Sequence, residues 1–187
     1  MTPVNQNHPA QKGYFAYLGL GSNLGDGAAQ ISRALELLAA RGCAVKRASS
    51  LYSTEPVGVR EQSWFTNCAA EVTTNLSPRA LLRTVKSIER DLGRRQTAPG
   101  EPRPIDIDIL FYDDGMVHLP SLTIPHPRVP ERRFVLIPMK ELAPHLRHPV
   151  LKKTVSQLLR ETADTSQVVH LRDVDSRCRG NDSSGDA

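Results

Sequence analysis

Apolar positions along this 187-residue chain fall into short runs of two different periods. Tyr14 to Leu20 (YFAYLGL) is a continuous apolar and aromatic run ending at Gly21, which predicts a buried strand. From about Ala28 to Ala40, Ile31, Ala34, Leu35 and Leu38 recur at helical spacing, with Ser22, Asn23 and Asp26 as candidate N-caps and Gly42 closing the helix. Val45 to Tyr52 predicts a second strand. Phe65 to Thr74 (FTNCAAEVTT) predicts a third, with Phe65 and Asn67 on one face. Ser77-Pro78 is a cap followed by proline at the first helical position, and Leu81, Leu82, Val85, Ile88 and Leu92 form the stripe of a helix that Gly93 ends.

Beyond it, Arg94 to Pro104 carries three prolines and a glycine and predicts an irregular stretch. Ile105 to Phe111 (IDIDILF) predicts a fourth strand. Pro120 to Pro130 is proline-rich loop, Arg133 to Ile137 is apolar, Val155 to Glu161 predicts a late helix and Val168 to Leu171 a short final strand. Strands and helices interleave without a βαβ rhythm, which predicts a compact α+β or mixed sandwich. Residues 1–13 read as a disordered leader and 173–187 (DVDSRCRGNDSSGDA) as a disordered polar tail, since neither buries apolar surface. Residues 14–172 are expected to form a single domain.

Composition narrows the class. Twenty-four Lys and Arg against 20 Asp and Glu give a net charge of +4, spread along the chain and far from the dense basic arm of a nucleic-acid binder. The basic set is 18 Arg to 6 Lys, which suits phosphate recognition but also follows from a GC-rich genome. No run of 18 apolar residues spans a bilayer, and Met1 to Lys12 carries no secretory signal. Cys43, Cys68 and Cys178 lie far apart without a Cys-x-x-Cys pair, which points to a reducing cytosol rather than a disulfide framework or zinc site.

Two stretches invite chemistry. Gly19-Leu20-Gly21-Ser22-Asn23-Leu24-Gly25 follows a strand and opens a helix, as a dinucleotide-binding turn does. Its third glycine comes one place late, and a tight strand-to-helix turn explains it as well. In Ile105 to Phe111, Asp106 and Asp108 point to the same face about 6.5 Å apart, while Ile105, Ile107, Ile109 and Phe111 pack the other. Paired carboxylates suit a hard cation, Mg²⁺ before zinc, although a solvated acidic edge strand gives the same pattern. Arg94, Arg95, Arg103, His126, Arg128, Arg132 and Arg133 lie around the pair in sequence. Carboxylates beside arginines are what phosphoryl chemistry needs, and no P-loop motif occurs. His126, between Pro125 and Pro127, suits a phosphate contact or is a turn histidine. Asn67 suits the edge of a flat heterocycle or is a polar edge residue, and Trp64 is the lone tryptophan.

Together these pieces resemble the 6-hydroxymethyl-7,8-dihydropterin pyrophosphokinase family. The resemblance rests on YLGLGSNLGD at 17–26, SSLYSTEPVG at 49–58, FTNCAAEV at 65–72, SIERDLGR at 87–94, PRPIDIDIL at 102–110 and IPHPRVPERRFVLIPMKELAP at 124–144. It implies an α+β fold of three αβα layers, related to the ferredoxin-like arrangement, with a mixed or antiparallel sheet and helices on both faces. It implies transfer of pyrophosphate from ATP to the pterin in folate biosynthesis, with two Mg²⁺ ions held by Asp106 and Asp108. Thr54, Val57, Phe65, Asn67 and Phe134 match pterin-binding positions. Glu89, Arg94, Arg103, Ile109, His126 and Arg132 match ATP-binding positions, and Arg94, Arg103, Asp106 and Asp108 the catalytic set.

The stretch 94–104 departs from the family pattern. Gln96 stands where a second arginine is usual, and Ala98-Pro99-Gly100-Glu101 where Arg-Trp precedes the Pro-Arg; the neighbouring Arg95 is either a substitute for one of them or a solvated loop residue. That departure keeps open a non-catalytic pterin- or nucleotide-binding relative, and the glycine-rich turn keeps open a nicotinamide-dependent enzyme. The expected partners are small molecules only, with neither nucleic acid nor membrane, for a cytoplasmic monomer.

Overall fold

In the computed structural model, residues 13–56, 62–95 and 101–171 are described. Both expected disordered ends lie outside that set apart from Gly13, as do Val57, Gln96, Ala98 and Cys178. Six strands form one sheet: β1 (Tyr14–Ser22), β2 (Cys43–Ala48), β3 (Tyr52–Thr54), β4 (Phe65–Thr74), β5 (Asp106–Tyr112) and β8 (Val168–His170). Two further strands, β6 (Val117–Leu119) and β7 (Leu122–Ile124), make a separate hairpin. Every described strand pair is antiparallel.

β4 is the centre of the sheet. β1 runs along one of its edges for its full length, while β2 and β3 divide the other edge between them. β5 lies outside β1, and β8 outside β3.

Four helices cover the two faces. α1 (Gly27–Ala40) and α2 (Pro78–Asp91) bury Ile31, Leu35, Leu38, Leu81, Val85 and Ile88 with Leu18, Leu20, Val72 and Ile107. α3 (Arg133–Leu142) and α4 (Val155–Glu161) bury Leu136, Met139 and Val155 on the opposite face, with Phe111 and Ala69. The result is the expected three-layer α+β sandwich. Asp26, the last of the three candidate caps, caps α1 by accepting from the Ala29 amide at 3.0 Å, and Ser77 caps α2 as expected.

Four local expectations are corrected. The strand expected over 45–52 breaks in two at Ser49-Ser50-Leu51. There Ser49 Oγ accepts from the Ala69 amide and donates to the Ser50 carbonyl, and the Glu141 carboxylate accepts from the amide and hydroxyl of Ser50. Ser49 keeps a backbone bond to the Ala69 carbonyl and Leu51 accepts from the Leu171 amide, but at Ser50 a side-chain partner replaces the ladder. The loop expected over 120–130 begins inside a hairpin, with Pro120-Ser121 at its turn and β7 running on to Ile124. The apolar segment at 133–137 is the first half of α3, which continues through the buried Pro138. Finally, Phe111 does not pack with Ile105, Ile107 and Ile109. The pairing of β1 with β5 steps from Leu18↔Ile109 to Tyr17↔Phe111, so Leu110 is an extra residue. Leu110 faces the α3–α4 core by alternation, and the bulge sends Phe111 to the same side.

Candidate active site

The middle strand is what makes a cavity on this sheet. β1 places Gly21 between Asp106 of β5 and Asn67 of β4, and Gly19 between Asp108 and Ala69. At both positions the pocket-facing side chain is a hydrogen atom, so the sheet has a bare floor with carboxylates along one side and an amide on the other. The fit at Gly21 is tight: a Cβ there would lie 2.5 Å from Asn67 Oδ1. Over this floor lies a cavity of about 460 Å³.

Asn67 is buried and its amide donates to Thr54 Oγ1 at 2.6 Å, itself 1% exposed. That bond fixes the amide plane. Phe65 reaches the cavity from the first residue of β4 and Phe134 from the first turn of α3. The Arg132 guanidinium lies 5.4 Å from the Phe134 ring centroid. Two aromatic rings, a fixed amide and a threonine are a setting for a flat polar heterocycle.

The other side is ionic. Asp106 accepts from Arg94 through one oxygen and from Arg103 Nη1 at 2.9 Å through the other. Burial alone would raise its pKa, but the two guanidiniums outweigh burial and hold the carboxyl below the usual aspartate range. Asp108 lies 3.9 Å from Arg132 Nη1. His126 donates its backbone amide to the Leu110 carbonyl at 2.9 Å, and its Nδ1 accepts from the Arg128 amide at 3.2 Å. Burial pushes its imidazole below the ordinary 6.5; Asp108 opposes the shift, and Arg132 and Arg128 add to it. Five cationic side chains (Lys86, Arg94, Arg103, Arg128, Arg132) line the cavity against three carboxylates (Glu55, Asp106, Asp108). A cavity with that balance attracts a polyanion.

Of the residues singled out in the sequence, Thr54, Phe65, Asn67, Arg94, Arg103, Asp106, Asp108, His126, Arg132 and Phe134 all line this one cavity. Two do not. Ile109 packs its side chain in the α1–α2 core. Glu89, 2% exposed, sits beneath β5, where Oε1 accepts from the Ile107 amide at 2.8 Å, Lys86 Nζ at 2.8 Å and Arg94 Nη1 at 2.6 Å. Burial pushes its carboxyl up, and Lys86, the Ile107 amide and Arg94 pull it back. Glu89 therefore positions Arg94 and the start of β5 from below. Arg95 is exposed, and neither it nor Trp64 lines the cavity.

Two contributors escaped the sequence reading. Lys86 enters the cavity with Nζ 4.0 Å from Asp106; its signal is the i,i+3 spacing to Glu89 on a helix face. Asn23, a candidate cap by sequence, is instead buried. Its Oδ1 accepts from the Arg103 backbone amide at 2.8 Å and its own backbone amide donates to the Arg103 carbonyl at 3.2 Å. This exchange pins Arg103 to the end of β1.

The donor set also fits a hard divalent cation. Among the described residues no group of three His, Cys, Asp or Glu side chains forms a closed metal site. Two aspartates lining a cavity rich in arginine match Mg²⁺, which keeps several waters and shares its remaining positions with phosphate oxygens.

Fold and cavity thus define an α+β protein whose one sheet face carries an ionic half, with arginines and two aspartates, beside an aromatic and amide half. The sequence profile of 7,8-dihydro-6-hydroxymethylpterin-pyrophosphokinase (HPPK) matches residues 17–144, and the chain belongs to this family. It is 48% identical over 132 residues to 2-amino-4-hydroxy-6-hydroxymethyldihydropteridine pyrophosphokinase of Methylorubrum extorquens, covering 70% of this chain and 84% of that one. It is 40% identical over 154 residues to the folic acid synthesis protein FOL1 of Dictyostelium discoideum, covering 82% of this chain but 23% of that larger protein. The crystal structure of wild-type HPPK-DHPS from Plasmodium falciparum superposes with a TM-score of 0.65 at 19% identity, over 80% of this chain and 45% of that one. That likeness supports the α+β fold related to the ferredoxin-like arrangement.

Proposed function

We propose that this protein transfers the β,γ-pyrophosphoryl group of ATP to the hydroxymethyl oxygen of 6-hydroxymethyl-7,8-dihydropterin, giving AMP and the pterin diphosphate, a step of folate biosynthesis. The observation that carries the reading is the cross-strand row Asp106–Gly21–Asn67. Two strand spacings, about 10 Å, separate a cation-binding carboxylate from a heterocycle-reading amide, with nothing but backbone between them.

In this reading Asn67 and Thr54 hold the pterin edge, joined by Val57, and Phe65 and Phe134 cover the ring. Arg94, Arg103, His126 and Arg132 take the phosphates, whose charge grows at the bridging oxygen as the α–β bond breaks. The hydroxymethyl oxygen bonds the β phosphorus and gives up its proton to solvent, and the bridging oxygen leaves with AMP. Asp106 and Asp108 would hold two Mg²⁺, which supply charge neutralisation of the triphosphate. Asn23 keeps Arg103 in place and Glu89 keeps Arg94 in place. Glu89 serves ATP through that arginine, and Ile109 through its backbone. The catalytic unit is residues 14–172, acting as a cytoplasmic monomer on small molecules, with no nucleic acid or membrane partner; among the described residues no helix is long and apolar enough to cross a membrane.

The test is chromatographic. Incubated with ATP, Mg²⁺ and the pterin alcohol, the protein is expected to form AMP and pterin diphosphate one for one, with neither formed when pterin or Mg²⁺ is left out. Formation of ADP in place of AMP, or turnover independent of pterin, would refute the assignment.

A further inference from the structure

Asp106 and Asp108 share one face of β5 but stand in different company. One oxygen of Asp106 takes Arg94 and lies 4.0 Å from Lys86 Nζ, and the other takes Arg103 at 2.9 Å. The nearest ion-pair partner of Asp108 among the described residues is Arg132 at 3.9 Å, beyond hydrogen-bond reach. One carboxylate is thus claimed through both oxygens, and the other is open to the cavity.

A hydrated divalent cation arriving at Asp106 has to displace charge-assisted bonds from partly buried guanidiniums, and leaves those guanidiniums without a counter-charge. Nucleotide phosphates change that balance, because their oxygens match an arginine fork as well as a carboxylate does. Arg94 is built for such a transfer. The nitrogen that meets Asp106 also meets Glu89 Oε1 at 2.6 Å, and Glu89 is anchored to the Ile107 amide at 2.8 Å. Letting go of Asp106 therefore leaves Arg94 tethered by a buried carboxylate.

Resting on the phosphoryl-transfer reading above, we infer that Arg94 and Arg103 occupy Asp106 in the nucleotide-free protein and pass to the phosphates when nucleotide binds. Asp108 is then the carboxylate available to a cation beforehand, and Asp106 becomes available only with the nucleotide. The order is a property of the arginines, since the carboxylates themselves are equally hard donors.

Mn²⁺ titration, read by the electron paramagnetic resonance signal of the free ion, tests this directly. The wild-type protein alone is expected to bind one Mn²⁺ per chain, and two when saturated with the α,β-methylene analogue of ATP. Arg94→Met and, as an independent second variant, Arg103→Met are expected to tighten nucleotide-free Mn²⁺ binding about tenfold or more, the worth of a charge-assisted bond. Arg128→Met removes the same charge from the cavity lining without touching Asp106, and is expected to change it by no more than about twofold, as for a screened surface charge. Two Mn²⁺ per chain without nucleotide, or an equal effect of all three variants, would overturn the inference. Absence of bound Mn²⁺ even with the analogue would instead overturn the cation sites of the proposed function, and the inference with them.

Discussion

Asn67 and Gly21 are directly paired across β4 and β1, and the Asn67 side-chain oxygen lies only 2.5 Å from where a Gly21 Cβ would stand. The amide of Asn67 occupies the space that a side chain at 21 would need. Because the obstruction is the tip of a side chain and not backbone, adding a methyl group there moves the amide and leaves the sheet in place.

Gly21→Ala is accordingly expected to fold, with a melting temperature within a few degrees of the original, and to lose pterin affinity. A displaced amide leaves polar heterocycle edges unpaired at about 1–3 kcal/mol, roughly ten- to a hundredfold in binding. Asn67→Ala is expected to show the same loss. Calorimetric titration with pterin and, separately, with an ATP analogue checks both; equal weakening toward the two ligands would contradict the placement of Asn67 at the heterocycle.

The arginines near the irregular stretch separate by exposure. Arg103 is partly buried, tied through its backbone to Asn23 and through its side chain to Asp106, whereas Arg95 is exposed and outside the cavity lining. Arg103→Ala is expected to lower kcat/KM about tenfold or more through loss of a charge-assisted contact, and Arg95→Ala to stay within about twofold. Asn23→Ala, which removes one of the two bonds holding the Arg103 backbone, is expected to lower kcat with pterin affinity kept. Steady-state kinetics of the three variants decide; a large loss at Arg95 would mean that it has taken over the arginine role the family places at Gln96.

Stability is expected to carry the signature of His148. This histidine is 6% exposed, its ring packs edge-on against Phe111 at 5.8 Å, and its Nδ1 accepts from the Val150 and Leu151 amides at 3.3 Å. Burial lowers its pKa from 6.5. The folded state then binds fewer protons than the unfolded state, so the histidine's contribution is complete above pH 6.5 and is lost as pH falls through the lower folded value. Melting temperatures between pH 7.5 and 5 should therefore fall less for His148→Gln than for the original chain. His126 shifts in the same direction, so the difference between the two curves, and not the slope of either, isolates His148.

Much of this was legible in the residues, and what was not has local causes. β1, α1, β4, α2 and β5 carry long periodic patterns, with caps at Asp26 and Ser77, and they hold the floor and both aspartates. α3 was hidden by Pro138, which burial of the helix in the α3–α4 core overrides. The break at Ser49-Ser50 depends on Glu141, some ninety residues away, and no local pattern announces it. Phe111 changes face because of one extra residue in β5, which strict alternation does not foresee. At the site, residue types showed which side chains gather in one cavity, but not which groups sit beneath it: Glu89 and Asn23 contact arginines that only the fold brings to them. The glycines of β1 suggested a dinucleotide turn, and their use is instead to leave the floor bare between Asp106 and Asn67.

The central claim is transfer of both terminal phosphoryl groups together, and the fate of a radioactive label tests it most directly. With phosphorus-32 placed at the β phosphate of ATP in one sample and at the γ phosphate in another, the pterin product is expected to carry the label equally from both, and the AMP to carry none. Label reaching the pterin from the γ position alone, with the β label retained in ADP, would contradict the account.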